Sequence, residues 1–125
     1  MGYLDRAVNI KGAVRVQSEK PQLRIYNYGF NINPVAVRMI GGKPTERYSL
    51  KIVPDENLLV FCKDDEGCCM NGSKSVYLCR MVLRRSLDMI IPRMDGFHYP
   101  TYLIDGEYIP EENIVVFDIK KAKRV

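Results

Sequence analysis

Cys62, Cys68, Cys69 and Cys79 fall within one loop and its flanking strands, the densest set of chemistry-bearing side chains in the sequence. Four thiolates can supply the soft tetrahedral donor set that zinc takes. The spacing lacks a Cys-x-x-Cys pair, and neighbouring Cys68 and Cys69 rarely both reach one metal. Cys62 and Cys79 equally suit small core positions, with all four thiols reduced. His98 is the one histidine. A Cys–His nucleophilic pair would still need an orienting third group and an oxyanion site, and neither occurs at recognisable spacing. Asp64, Asp65 and Glu66 lack the alternation and the downstream Glu of a calcium loop, so they read as a solvated turn. Asp88 and Asp95 have no evident partner, and there is no Gly-rich phosphate loop or serine-nucleophile elbow. These readings point to a binding protein rather than an enzyme. No cofactor is expected, and zinc is the one the cysteines leave open.

The cations carry the binding expectation. The formal net charge is +4. Residues 1–60 hold nine Lys/Arg against five Asp/Glu, while residues 61–125 hold ten of each. Acids collect in turns and arginines on elements, a pattern that favours a polyanionic partner; a solvated surface with local ion pairs is the alternative. Arg38 falls on one short helix, and Arg84 and Arg85 on another. Arg47 and Lys51 lie on the outward side of a strand. Guanidinium groups bind phosphates bidentately and read guanine edges, so one face bearing Arg38, Arg47, Lys51, Arg84 and Arg85 would suit DNA. Tyr26, Tyr28 and Phe30 offer stacking surfaces for single strands, or else core.

The elements that must position these residues are organised around a stretch that occurs twice. Ile52-Val-Pro-Asp-Glu-Asn-Leu-Leu-Val-Phe61 is echoed by Tyr108-Ile-Pro-Glu-Glu-Asn-Ile-Val-Val-Phe117. Each reads as strand, polar turn and strand, since Pro fixes φ and Asn tolerates left-handed backbone. Before the first copy, alternation from Val8 to Val16 predicts a strand, with Gly12 a possible bulge, and a second strand runs from Leu23 to Ile32. Asn33-Pro34 starts a short helix that Gly41-Gly42 ends. Strands follow at 47–53 and 58–63. Residues 64–75 read as a linker. In the second copy, Val76 to Cys79 is a strand and Met81 to Ile90 an amphipathic helix. Pro92 to Pro100 is an insertion, and Thr101 to Ile109 is a strand with a tight turn or bulge at Asp105-Gly106. Ile114 to Ile119 closes the unit before a basic tail. The predicted organisation is residues 1–63 as N-terminal strand plus first unit, 64–75 as linker, and 76–125 as second unit and tail, sharing one core.

A hydrophobic fraction of 46% suffices for that core. The sequence has no run long enough to span a bilayer and no signal-peptide core at its start, so a cytoplasmic location away from membranes is expected.

The order strand, helix, strand, turn, strand resembles AbrB-type transition-state regulators. The residues that carry the likeness are Tyr28-Gly-Phe-Asn-Ile-Asn-Pro-Val-Ala-Val-Arg-Met-Ile-Gly41 with 47–63, and more loosely 76–119. The resemblance implies two interlocked units in a swapped-hairpin barrel that binds DNA. This chain departs from it by carrying both units in one polypeptide and by an extra N-terminal strand. The pattern is also similar to small phage and mobile-element proteins of Gram-positive bacteria. The expectation is therefore a mostly β (α+β) fold with two short helices, built from a duplicated unit, acting as a nucleic-acid-binding regulator. A homodimer is possible. The alternatives are a phage-encoded, anti-CRISPR-like inhibitor that docks loops 64–75 and 92–100 on a host nuclease–nucleic acid complex, and a zinc-stabilised structural module.

Overall fold

The computed structural model describes residues 20–70, 74–93 and 102–125. The strand expected at 8–16, Asp95, His98 and most of the 92–100 insertion lie outside these residues.

Strand β1 (Gln22–Ile25) buries Leu23 and Ile25 and exposes Arg24, the period-two pattern of a half-buried strand. The chain then reverses at Asn27-Tyr28, where the Tyr26 N–H donates to the Gly29 carbonyl at 2.8 Å, and returns as β2 (Phe30–Ile32). The single strand expected from Leu23 to Ile32 is thus a hairpin. Gly29 makes it possible by close approach: a Cβ there would lie 2.5 Å from the Leu78 carbonyl oxygen. Helix α1 (Pro34–Met39) starts and stops as its sequence dictates. Asn33 Oδ1 accepts from the Ala36 N–H at 3.1 Å, Pro34 takes the first turn, and Gly41 leaves with φ of 69°. Val35, Ala36 and Val37 form its buried face.

Strands β3 (Arg47–Val53) and β4 (Leu58–Lys63) join through a 3-10 turn at Pro54–Glu56 with Asn57 left-handed at φ 53°. Strands β7 (Tyr102–Ile109) and β8 (Ile114–Asp118) join in the same manner, with Asn113 at φ 55°. The registers correspond. Val53 pairs with Leu58 and Leu50 with Phe61 in one hairpin, Ile109 with Ile114 and Gly106 with Phe117 in the other. The turn or bulge expected at Asp105-Gly106 is instead continuous strand. Gly106 is there for space, since a Cβ would lie 2.6 Å from the Phe117 ring.

Three further elements complete the sheet: β5 (Cys68–Cys69), β6 (Val76–Leu78) and β9 (Lys123–Arg124). The stretch expected as linker therefore contributes β5, paired to β3. Helix α2 (Met81–Ser86) ends earlier than expected, and residues 87–90 continue as turns. Val82 and Ile90 are exposed, while Leu83, Leu87 and Ile91 are buried. The order strand, helix, strand, strand therefore occurs twice, as β2-α1-β3-β4 and β6-α2-β7-β8.

The main path of the sheet runs β5-β3-β4-β8-β7-β1-β2-β6 with every pairing antiparallel, and β9 pairs β7 beside it. β5 and β6 approach one another, so the eight strands form a nearly closed barrel with two short helices. Closure leaves the inward residues nowhere to meet water. Leu23, Ile25, Phe30, Ile32, Tyr48, Leu50, Leu59, Phe61, Ile104, Val115 and Phe117 are all fully buried. Tyr48 stacks on Phe61 with centroids 5.5 Å apart, and its hydroxyl donates to the Lys43 carbonyl. At roughly 1.5–3 kcal/mol per buried large apolar side chain, this lining is the main favourable term.

Asn113 also fastens the second hairpin to α1. Its Nδ2 donates to the Ile40 carbonyl at 2.9 Å, and its Oδ1 accepts from the Tyr108 hydroxyl at 2.9 Å. Asn113→Ala loses both bonds and keeps a side chain at positive φ, so it is expected to lower stability by about 2–3 kcal/mol. Asn113→Gly relieves the backbone and is expected to cost less. Urea denaturation checks the ranking, and a glycine variant no better than alanine would contradict it.

Candidate nucleic-acid interface

The expected arginine face does not assemble as one surface. Arg84 is fully buried. Its Nε donates to the Tyr26 carbonyl and its Nη1 to the Ile91 carbonyl, both at 2.7 Å. Asp88 lies 3.4 Å from Nη1 and is shared with Arg93 at 3.1 Å. Burial pushes the guanidinium below its usual pKa and Asp88 partly offsets this, but arginine remains charged. Arg84 is therefore a clamp between α2, the β1–β2 turn and the 87–91 segment, and it meets no external phosphate. Its place was readable: Arg84, Leu87 and Ile91 follow at i, i+3 and i+7, one stripe of a helix.

Arg38 and Arg85 are exposed, on α1 and α2. These helices follow β2 and β6, which run antiparallel, so they leave from opposite ends of that pair. Arg47 and Lys51 do share the outward side of β3. Arg47 Nη1 donates to the Gly67 carbonyl at 3.3 Å, and Lys51 lies 3.5 Å from Asp64. Asp64 also accepts from the Glu66 N–H and the Ser49 hydroxyl, each at 3.0 Å. These bonds, the Glu66 amide first, hold its carboxyl below the ordinary range. Lys51 thus faces a fixed carboxylate.

The cysteines disperse. Cys62 lies on β4 with Sγ 3.6 Å from the Ser49 hydroxyl. Cys68 and Cys69 are successive strand residues, which point to opposite faces. Cys79 follows β6, with Sγ 3.9 Å from the Tyr28 carbonyl. Among the described residues no group of three or more His, Cys, Asp or Glu side chains is placed to hold a metal ion. Among those residues, too, no helix is long and apolar enough to cross a membrane.

A different surface emerges on the outside of β7, β1, β2 and β6. Paired residues share a face, so Lys123, Leu103, Arg24, Asn31 and Tyr77 form one row across five adjacent strands. Tyr77 is 42% exposed and meets Tyr26 edge-on, with centroids 5.9 Å apart. Tyr28, in the β1–β2 turn, is 41% exposed. Of the three aromatics expected as stacking surfaces or core, Phe30 belongs to the core. Leu103 and Lys123 also line a cleft of about 340 Å³ with Gln22, Asp105, Arg124 and Val125. The sequence signal for Arg24 and Tyr77 is that each is the outward residue between buried apolar neighbours: Leu23 and Ile25, Val76 and Leu78.

The chain matches no protein-family model, no curated protein and no solved structure.

The clamp is separable from the surface cations. Arg84→Ala strips two carbonyls of their donor and is expected to cost about 3 kcal/mol, at up to ~1.5 kcal/mol per lost bond. Arg85→Ala is expected to stay within about 0.5 kcal/mol of the parent. Equal urea midpoints for the two variants would contradict the clamp.

Proposed function

We propose that this protein is a non-enzymatic nucleic-acid-binding regulator, its phosphate contacts made by cations on the outside of the barrel. The observation that carries this is a separation of charge. Exposed acids gather mostly in the turns, at Asp55, Glu56, Asp65, Glu66, Glu111 and Glu112, while Arg24, Arg38, Arg47, Arg85 and Lys123 project from strands and helices; exposed Lys20, Lys43, Lys74, Arg80 and Arg93 lie in loops between them. Asp105 and Glu107 on β7 depart from this pattern, and Asp105 accepts from Gln22 at 3.0 Å. A polyanion following the strand faces thus meets donors and avoids most carboxylates.

We further infer that the barrel is a duplicated strand-helix-strand-strand unit, interlocked in the swapped-hairpin manner of AbrB-type regulators. Support comes from the register. The β4–β8 ladder pivots on Val60 opposite Val116, which are equivalent positions of the repeated stretch. The β2–β6 ladder pivots likewise on Asn31 opposite Tyr77. A cytoplasmic regulator of phage or mobile-element type is consistent with this reading. A second reading, a protein-binding inhibitor, draws on the apolar side chains on and after α2, where Val82 is 84%, Met89 95% and Ile90 45% exposed.

Fluorescence anisotropy with labelled oligonucleotides, run from about 50 to about 200 mM salt, tests the first reading. Three to five phosphate contacts predict a log–log slope of about −2.7 to −4.5 on duplex, somewhat shallower on single strands. No binding at the lowest salt would refute it and leave the inhibitor reading.

A further inference from the structure

Resting on the nucleic-acid reading, we propose that the ligand is a single strand lying across β6, β2, β1 and β7, a base stacked on Tyr77 and its phosphates met by Arg24 and Lys123. The row itself selects this ligand. In a duplex the base faces are already covered by their neighbours, so a ring lying on a sheet finds a stacking partner only on an unpaired base. Tyr77 is held for that role. Its hydroxyl lies 3.0 Å from where a Cβ of Gly29 would stand, so any side chain at 29 would displace the ring. Arg24 stands two strands away from Tyr77, about 10 Å at ordinary strand spacing, within the span of a few nucleotides.

One more feature favours the same occupant. At the far end of the row, the cleft of about 340 Å³ carries Lys123 and Arg124 at its rim, a charge match for a phosphate. Asp105 shares that cleft and would repel a phosphate on its own side, so the backbone is expected to pass on the Lys123 side.

The test compares a labelled oligothymidine of about 12 nucleotides, within the site sizes of small barrels, with a duplex of equal length. The proteins are the parent chain, Tyr77→Ala, Tyr77→Phe and Arg24→Glu, each checked for an unchanged melt. The single strand is expected to bind at least about tenfold tighter than the duplex. Tyr77→Ala should weaken it by about tenfold, Tyr77→Phe should retain it, and Arg24→Glu should weaken it by tenfold or more. If Tyr77→Ala fails to fold, the Arg24→Glu result decides. Duplex preference, with affinity indifferent to Tyr77 and Arg24, would overturn the single-strand proposal and leave the nucleic-acid reading intact. Binding of neither oligonucleotide would overturn both.

Discussion

The rest of the molecule depends on the antiparallel contact between β4 and β8. Each hairpin alone would leave one apolar face in water, and an isolated hairpin is marginal at best. Pairing Leu59 with Phe117 and Phe61 with Val115 fuses the two into one four-stranded wall around a common interior. These residues lie about half the chain apart, so the contact carries a large loop-closure cost that the buried side chains must offset. The same ladder joins the two acidic turns to a single body and turns the other faces of the strands to the outside of the barrel.

Arg84 is the second constraint, and it is unusual in being charged. A guanidinium with no exposure is tolerated because two backbone carbonyls and Asp88 receive its donors, though its Nη2 has no partner. In effect the side chain replaces backbone pairing for segments that belong to no strand: the turn at Tyr26 and the end of the α2 region at Ile91. It fixes the edge of the surface that carries Tyr26 and Tyr77. The stability of the clamp and the geometry of that surface are therefore coupled.

Local rules were legible in the sequence, and non-local ones were not. The Asn33-Pro34 start of α1, its end at Gly41 and the left-handed Asn57 and Asn113 all follow from the conformational preferences of a few adjacent residues. The reversal at Asn27-Tyr28 was hidden because its enabling feature is the approach of Gly29 to β6, far along the chain. Gly106 misled for the same reason, as it yields space to Phe117 rather than bending the strand. Cys68 and Cys69, adjacent in sequence, were parted by the alternation of β5, and Cys62 and Cys79 belong to other strands or their ends. Of the five cations expected on one face, Arg84 turned inward with Leu87 and Ile91, as its spacing from them encodes, while the opposite exits of the helices, a non-local feature, separated Arg38 from Arg85. Arg24 and Tyr77 came together only through cross-strand register, which no single stretch of sequence encodes.

The central claim is that the outside of the β1, β2 and β6 strands receives nucleic acid. The most direct measurement is a titration of isotope-labelled protein with a short single strand, followed through its backbone amide resonances. The account predicts saturable shifts concentrated at Arg24, Asn31 and Tyr77, fading toward β4 and the exposed Val82 and Met89. Shifts centred on those α2 residues, or spread evenly over the barrel, would contradict it.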